Sequence, residues 1–196
     1  MQGLVTEPCV VWLTGISGAG KTTIARHAAH LLNAKGRRAF LLDGDIVRAG
    51  LCSDLGFTPS DRAENLRRAA EVAALLADSG LIVLAAFITP LNIDRERIRA
   101  RLGAHAFIEA FVSTPLAVAE ARDPKGLYRR ARSGELRDFT GIDSPFEVPD
   151  APELRLDTTT SSAAALASTI VDAVLKCAET CSASPAVAAT SPAVRS

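Results

Sequence analysis

A glycine-rich loop near the N-terminus carries the clearest chemical signal in the sequence. Residues 15–22, GISGAGKT, have the form GxxxxGK[ST]. Glycines let the backbone curl so that consecutive N–H groups point at phosphate oxygens, and the helix that follows directs its positive dipole end to the same place. The lysine of such a loop reaches the β- and γ-phosphates of a purine nucleotide, and the last hydroxyl ligates Mg²⁺, which makes Thr22 the expected metal ligand. The loop residues predicted to bind ATP are Gly15, Ser17, Gly18, Ala19, Gly20, Lys21, Thr22 and Thr23.

Two aspartates flank a glycine directly after the second predicted strand, at residues 43–45. Ligands of α/β proteins bind at the carboxyl ends of parallel strands, so these carboxylates are expected beside the nucleotide. One would accept the proton of a substrate hydroxyl, while the other would act on metal-bound water. A turn or a helix N-cap is the simpler interpretation of an isolated aspartate, but a pair at this edge favours catalysis. Asp43 and Asp45 are therefore candidate catalytic residues, together with Lys21.

Four arginines follow the acidic pair, at positions 48, 62, 67 and 68. Guanidinium groups can grip phosphate or sulfate oxygens with two parallel hydrogen bonds. Neighbouring arginines on a helix more often form a solvated face, which is the expectation for Arg67 and Arg68. The spacing selects Arg48 and Arg62 as candidates for binding an anionic acceptor.

Apolar runs alternate with amphipathic segments along most of the chain. The runs predict strands at residues 9–14, 39–42, 81–87, 106–112 and 153–157, and the segments predict helices at 21–33, 61–78, 94–102, from 116 and at 162–177. Strands that are apolar throughout indicate a parallel sheet covered on both faces. We therefore predict an α/β fold of the P-loop nucleotide-binding type. Residues 1–177 are expected to form a single domain with a mobile lid at 122–152, and residues 178–196 a disordered tail.

The composition limits the partners of this chain. Acidic and basic residues balance at 22 each, so no net field favours nucleic acid or an anionic membrane. The apolar runs are much shorter than the ~20 residues of a membrane-spanning helix, and the N-terminus lacks the features of a signal peptide. The cysteines have no zinc or redox spacing, which predicts free thiols and a cytoplasmic protein. Those cysteines are Cys9, Cys52, Cys177 and Cys181.

Longer strings in the sequence resemble one enzyme family, adenylylsulfate (APS) kinase. They are LDGDIVR at 42–48, DLGF at 54–57, DRAEN at 61–65, ARDPKGLY at 121–128 and FTGIDSPFE at 139–147. The resemblance runs in order from residue 10 to residue 175. It implies an ATP-dependent kinase that converts adenosine 5′-phosphosulfate to 3′-phosphoadenosine 5′-phosphosulfate (PAPS) in sulfate assimilation, with Mg²⁺. It also implies a homodimer and a functional link to ATP sulfurylase.

The same resemblance implies roles for individual residues. Asp45 is expected to accept the proton of the ribose 3′-hydroxyl, with Asp43 near the metal. Phe57 and Phe139 would sandwich the adenine of APS, and Lys125 in the lid would stabilise charge on the transferring phosphate. Arg122 is expected to contact ATP. The residues implied to bind APS are Asp45, Arg48, Phe57, Arg62, Asn65, Ile88, Lys125, Leu127 and Phe139.

Three positions depart from the family pattern. Thr89 replaces a serine that is a phosphorylation site in bacterial members, and its simpler interpretation is a hydroxyl capping a turn. Leu91-Asn92 and Ala49 replace other residues that border the acceptor pocket. These changes leave open a kinase of the same fold with another nucleotide or small-molecule acceptor. A catalytically idle nucleotide-binding regulatory module is the alternative from a different class, and the intact catalytic residues disfavour it.

Overall fold

One parallel sheet organises the protein, and the computed structural model describes residues 8–182. Its strands lie in the order β2-β3-β1-β4-β5, and every pairing is parallel. The order places β1, which leads into the glycine-rich loop, in the middle of the sheet. The strands are β1 (Cys9–Thr14), β2 (Ala39–Asp43), β3 (Ile82–Ala86), β4 (Ala106–Ser113) and β5 (Leu154–Asp157).

Seven helices of the described chain connect and cover these strands. They are α1 (Lys21–Ala34), α2 (Gly44–Ala49), α3 (Pro59–Asp78), α4 (Asn92–Leu102), α5 (Leu116–Arg122), α6 (Leu127–Arg132) and α7 (Ala163–Ser182). None of them is long and apolar enough to cross a membrane, as far as the described residues go.

Central strand β1 shows why the strands are apolar throughout. Val11 and Leu13 belong to the core cluster shared with α1 and α7, whereas Val10 and Trp12 belong to the cluster shared with α3 and α4. Successive side chains of a strand point to opposite faces, so a sheet covered on both faces has no polar side. The predicted α/β fold with helices on both faces is confirmed.

The helices mostly follow the sequence pattern, with two additions. Helix α2 has only six residues, too few to show a helical period, and it begins at the acidic pair. Helix α6 lies inside residues 122–152, where the sequence pattern predicted no helix. Helix α7 extends to Ser182, five residues past its predicted end at Cys177. The rest of the predicted tail, residues 183–196, lies outside the described residues.

Candidate active site

A cavity of about 1180 Å³ opens at the carboxyl ends of the central strands. It brings together almost all of the residues that the sequence analysis selected, although they are spread along the chain from residue 17 to residue 139. Gly15 alone among them does not line it. The predicted residues that do line it are Ser17, Gly18, Ala19, Gly20, Lys21, Thr22, Thr23, Asp43, Asp45, Arg48, Phe57, Arg62, Asn65, Ile88, Thr89, Arg122, Lys125, Leu127 and Phe139.

Gly15 begins the phosphate loop and acts through its backbone. Its φ of 148° lies in a region that residues with side chains rarely adopt, and a Cβ there would come within 2.7 Å of the Val112 carbonyl oxygen. Its N–H donates to the Ile88 carbonyl at 3.2 Å, which ties the start of the loop to the segment after β3. Glycine is therefore required here for shape rather than for ligand contact.

Lys21 folds back onto the loop that precedes it. Its Nζ donates to the carbonyl oxygens of Gly15 at 2.7 Å and Ile16 at 2.8 Å. The pKa of the Lys21 ammonium is lowered from 10.5 to about 7, mainly by burial and also by the positive charge of Lys125, while Asp45 and Asp43 act in the opposite direction. We therefore expect Lys21 to gain a proton when anionic phosphates bind.

We expect nucleotide binding at pH 8 to take up close to one proton per site. Phosphate oxygens favour the charged ammonium and raise the pKa of Lys21 from about 7, so protons bind with the ligand. Titration calorimetry in buffers of different ionisation enthalpy measures this uptake. It should fade below about pH 6, where Lys21 is already charged. Lys21→Arg is the matched control, because an arginine stays protonated throughout, and uptake that persists in this variant would assign the proton to another group.

The acidic pair stands where β2 passes into α2. Asp43, the last residue of the strand, is buried, and its Oδ1 accepts the N–H of Asp45 at 2.9 Å as the N-cap of α2. Asp43 therefore both caps α2 and lines the cavity. Gly44 separates the two aspartates because a Cβ would come within 3.0 Å of both the Ala86 carbonyl oxygen and the Phe87 ring.

Asp45 extends into the cavity rather than into the protein. Its side chain is 68% exposed and forms an ion pair with Lys125, which lies 80 residues further along the chain between α5 and α6. The contact places a cation from the predicted lid directly on the predicted proton acceptor. A carboxylate in this position can accept a proton from a hydroxyl group bound in the cavity.

An aromatic and basic group forms the acceptor end of the cavity. Phe57 is 55% exposed, and the Arg48 guanidinium covers its ring at 4.6 Å from the centroid. Arg48 also donates to the Gly56 carbonyl at 2.8 Å. Asn65 is buried, and its Oδ1 has no hydrogen-bond partner. A buried amide oxygen without a partner is costly, so a ligand group is the natural partner for it.

Arg62 connects this end of the cavity to the segment after α6. Its Nε donates to the Phe57 carbonyl at 2.9 Å, its Nη1 donates to the Thr140 hydroxyl at 2.8 Å, and its Nη2 contacts the Asp138 carbonyl. All three nitrogens therefore have protein partners in this conformation. An anion would have to share or replace one of them.

Phe139 and Tyr128 form an aromatic pair under the phosphate loop. Phe139 is buried and meets the edge of the Tyr128 ring, with centroids 5.0 Å apart. The Tyr128 hydroxyl donates to the Ser17 carbonyl at 2.8 Å, so the segment with α6 is bonded to the loop itself. Sequence reasoning missed Tyr128, and the only available signal was its place at the end of the 121–128 string.

Several residues that line the cavity were not selected from the sequence. Thr158 follows β5, and its hydroxyl and carbonyl both accept from the Arg122 guanidinium at 3.1 Å. The remaining basic groups on this side of the cavity are Arg130 and Arg137. Their positions were not predicted because they depend on how the chain returns over the loop after α5.

Two expectations about departures from the family pattern are changed by the structure. Thr89 was interpreted as a hydroxyl capping a turn, but it is 1% exposed and its hydroxyl accepts from the Trp12 indole at 2.8 Å. Ala49, Leu91 and Asn92 were expected to border the acceptor pocket, but they do not belong to the lining of this cavity. The cavity wall itself thus matches the residues that the sequence analysis assigned to chemistry.

Comparisons with known proteins agree with this geometry. The family model for adenylylsulphate kinase matches residues 7–157. An adenylyl-sulfate kinase from Citrobacter koseri is 60% identical over 148 residues, which are 76% of this chain and 74% of that protein. The bifunctional enzyme NodQ of Azospirillum brasilense is 57% identical over 85% of this chain, which spans only 27% of NodQ. The Mycobacterium tuberculosis APS kinase CysC, solved with AMPPNP and APS, superposes with a TM-score of 0.84 and 46% identity, covering 87% of this chain and 98% of that one.

Proposed function

The chain belongs to the adenylylsulphate kinase family, and we propose that it transfers the γ-phosphate of ATP to the 3′-hydroxyl of APS. The products are ADP and PAPS. One observation carries the proposal: a phosphate loop, an acidic pair and an acceptor end of aromatic and basic residues line one cavity. Donor and acceptor nucleotides can therefore meet over Asp43 and Asp45.

Asp45 is the proposed proton acceptor. Its carboxylate lines the cavity together with the phosphate loop and Phe57. The Lys125 Nζ donates to its Oδ2, which leaves Oδ1 for a substrate hydroxyl. As the hydroxyl attacks phosphorus, its proton passes to this oxygen. The P–O bond to the leaving ADP breaks in the same displacement, and its electron pair goes to the ADP oxygen, where negative charge develops.

Lys21 and Lys125 are the proposed stabilisers of that charge. Lys21 holds its ammonium at the phosphate loop, and Lys125 holds a second one beside Asp45. Cations fixed in position before the reaction stabilise charge without the reorganisation that water would need. Arg122, bonded to Thr158, is the proposed contact for the ATP base and ribose end.

The oxygen atoms that line the cavity suit Mg²⁺, but only in combination with substrate phosphates. Among the residues described, no group of three or more His, Cys, Asp or Glu could hold a metal. The Thr22 hydroxyl and the Asp43 carboxylate both line the cavity, and they are hard oxygen donors of the kind that Mg²⁺ accepts alongside substrate phosphates. Bound there, Mg²⁺ would neutralise charge on the β- and γ-phosphates. Thr22 and Asp43 are the residues that would hold it.

The acceptor end suits an anionic purine nucleotide. The exposed Phe57 ring, which Arg48 and Arg62 approach at 4.6 and 6.0 Å from its centroid, offers a stacking surface for a base. Phe139 also lines the cavity, but it is buried. Asn65 supplies an unpartnered amide, and Arg48 and Arg62 supply positive charge for the phosphosulfate. These roles rest on the family resemblance and on the shared cavity.

Coupled assays of ADP release on the purified protein test the proposal. We expect turnover that requires APS and little ATP hydrolysis without it. ADP production with a different nucleotide or alcohol, but not with APS, would favour a kinase with another acceptor. Tight ATP binding with no turnover on a broad acceptor panel would favour the idle regulatory module.

Replacing Phe57 by leucine should raise the KM for APS about tenfold, because stacking of a base on an aromatic ring contributes about 1–3 kcal/mol. The KM for ATP should change by less than about twofold, because Phe57 lies at the acceptor end of the cavity. Phe40→Leu is the matched control, since Phe40 is 45% exposed on β2 and lies outside the cavity. Equal effects of the two substitutions on the KM for APS would remove Phe57 from the acceptor site.

Three further features of the protein are also proposals. A homodimer, a cytoplasmic location and a functional link to ATP sulfurylase follow from the resemblance to the family and from the composition of the chain. Size-exclusion chromatography with light scattering measures the assembly directly. A mass other than twice that of the chain, 20.6 kDa, would contradict the dimer.

A further inference from the structure

One residue in the cavity wall after β3 has a strained backbone, and none of the roles described so far explains it. Thr89 has a φ of 45°, in the left-handed region that a β-branched residue rarely adopts. It lines the cavity together with Ile88 and Pro90. Strained residues of this kind persist only where the surroundings over-determine them, and they cluster at functional sites.

Three side chains behind the wall fix Thr89. The Trp12 indole donates to the Thr89 hydroxyl at 2.8 Å. The Thr14 hydroxyl lies 2.6 Å from the Ile88 carbonyl oxygen and 3.1 Å from the Thr89 carbonyl oxygen, and it can donate to either. The Arg95 Nη1 donates to the same Thr89 carbonyl at 2.8 Å. Trp12 and Thr14 belong to central strand β1, so the strand that leads to the phosphate loop also supports the acceptor wall.

Arg95 also holds the carboxyl end of residues 139–147, the segment whose first two residues, Phe139 and Thr140, line the cavity. Its Nη2 donates to the Glu147 carbonyl at 2.7 Å and contacts the Asn92 side chain. Glu147 in turn donates its N–H to the Pro90 carbonyl at 2.8 Å and accepts the Asn92 N–H at 2.6 Å, where α4 begins. One guanidinium therefore joins the acceptor wall to residues 139–147.

The charge of Arg95 is balanced away from the cavity. It is 6% exposed, and its Nε lies 3.3 Å from Oε1 of buried Glu109 on β4. Glu109 is shared with Arg99, one turn further along α4, at 3.2 Å. A buried ion pair is weak evidence for a gain in stability, because desolvation opposes the attraction. The bonds to the Thr89 and Glu147 carbonyls need a separate explanation.

We propose that Arg95 is a positioning residue for the acceptor nucleotide, acting through Thr89. By bonding the Thr89 and Glu147 carbonyls at once, it fixes the strained wall at Ile88–Pro90 relative to residues 139–147, in the arrangement that receives the acceptor. The inference rests on the proposed function for its substrate. Asn92, a departure from the family pattern, is part of this assembly through its contacts with Arg95 and Glu147.

Steady-state kinetics of Arg95→Lys and Arg99→Lys test the proposal. An ammonium at position 95 still balances Glu109 but cannot bond both carbonyls, so we expect the KM for APS to rise about tenfold, with the KM for ATP within about twofold. Arg99→Lys makes the same change on the same helix and at the same glutamate, and it should leave both KM values within about twofold. Equal KM values for APS in folded Arg95→Lys and wild type would overturn the inference.

A second variant covers the case in which Arg95→Lys does not fold. Arg95→Met combined with Glu109→Leu removes the buried pair as a unit, a replacement that is often neutral or stabilising. It still removes both carbonyl bonds, so the KM for APS should again rise while the melting temperature is retained. A wild-type KM for APS in this folded double variant would likewise overturn the positioning role.

Fluorescence separates this inference from the proposed function. Trp12 is the only tryptophan of the chain, it stacks on cavity-lining Phe87 at 5.0 Å, and its indole bonds to Thr89. We expect Arg95→Lys, but not Arg99→Lys, to change its emission spectrum in the protein without ligand. If wild type proves inactive with APS, the proposed function fails. In that case an unchanged Trp12 spectrum in Arg95→Lys would overturn the positioning role as well.

Discussion

Replacing Asp45 by alanine should lower kcat about 10³-fold while nucleotide binding survives, because a positioned general base contributes about 10²–10⁴-fold. The side chain extends into the cavity and bonds only to Lys125 among the contacts described, so it does not hold the phosphate loop. The helix cap at this point belongs to Asp43, which the substitution leaves in place. Single-turnover kinetics with ATP affinity measured by calorimetry give the two quantities.

Asp54→Ala is the control for this experiment. Asp54 is similarly exposed and also pairs with a basic residue, Arg68, but it lies outside the cavity. Its loss should leave kcat within about twofold, because an exposed ion pair contributes little. A parallel loss of ATP affinity and kcat in Asp45→Ala would contradict the role of proton acceptor and place Asp45 among the donor contacts.

The order of strands and helices could be predicted because each carries its own physical signature. Strand β1 is buried on both faces, so it contains no polar residue before Thr14, and α1 buries residues at helical spacing, as in Ile24, Ala28 and Leu32. Helices α2 and α6 have six residues each, which is too short for a period to emerge. Their ends are set by tertiary features instead, such as the Asp43 cap.

The donor half of the site was predictable because its geometry is local. A glycine loop between a strand and a helix has one shape, and parallel strands bring Asp43 to the same edge of the sheet as that loop. Distant pairings carry no such signal. The bond from Tyr128 to the Ser17 carbonyl spans 111 residues, and the Arg62 bond to Thr140 spans 78. Only the folded chain shows that these segments meet.

The departures at Leu91 and Asn92 show how adjacency in sequence can mislead. Both follow Pro90, which lines the cavity, and both were therefore expected to border the acceptor. Helix α4 begins at Asn92, however, and directs the chain away from the cavity. Asn92 consequently bonds to Arg95 and Glu147 behind the wall. The motif strings correctly predicted residues that line the cavity, whereas Leu91 and Asn92, which follow the turn at Pro90, do not line it.

Replacing Lys21 by methionine should lower kcat at least about 10²–10³-fold, the loss that follows removal of one fixed donor to developing charge. Methionine keeps the length and apolar stem of the lysine but provides no cation for the phosphates. Arg97→Met, on an exposed face of α4, is a control that removes a cation outside the cavity and should leave kcat unchanged. Rapid-quench measurement of the chemical step separates this loss from changes in product release.

The same substitution should not destabilise the protein at neutral pH, which distinguishes lost chemistry from lost folding. The pKa of Lys21 is about 7 in the folded protein and close to 10.5 when the chain is unfolded, so the unfolded chain binds more protons between these values. The contribution of Lys21 to the free energy of unfolding therefore rises with pH from about 7 to 10.5 and is least favourable below pH 7. Lys21→Met removes this dependence on pH. The melting temperature of the variant should therefore increase less between pH 7 and pH 10.5 than that of wild type. A melting temperature well below that of wild type at pH 7 would mean that the lysine supports the loop through Gly15 and Ile16 more than burial opposes its charge.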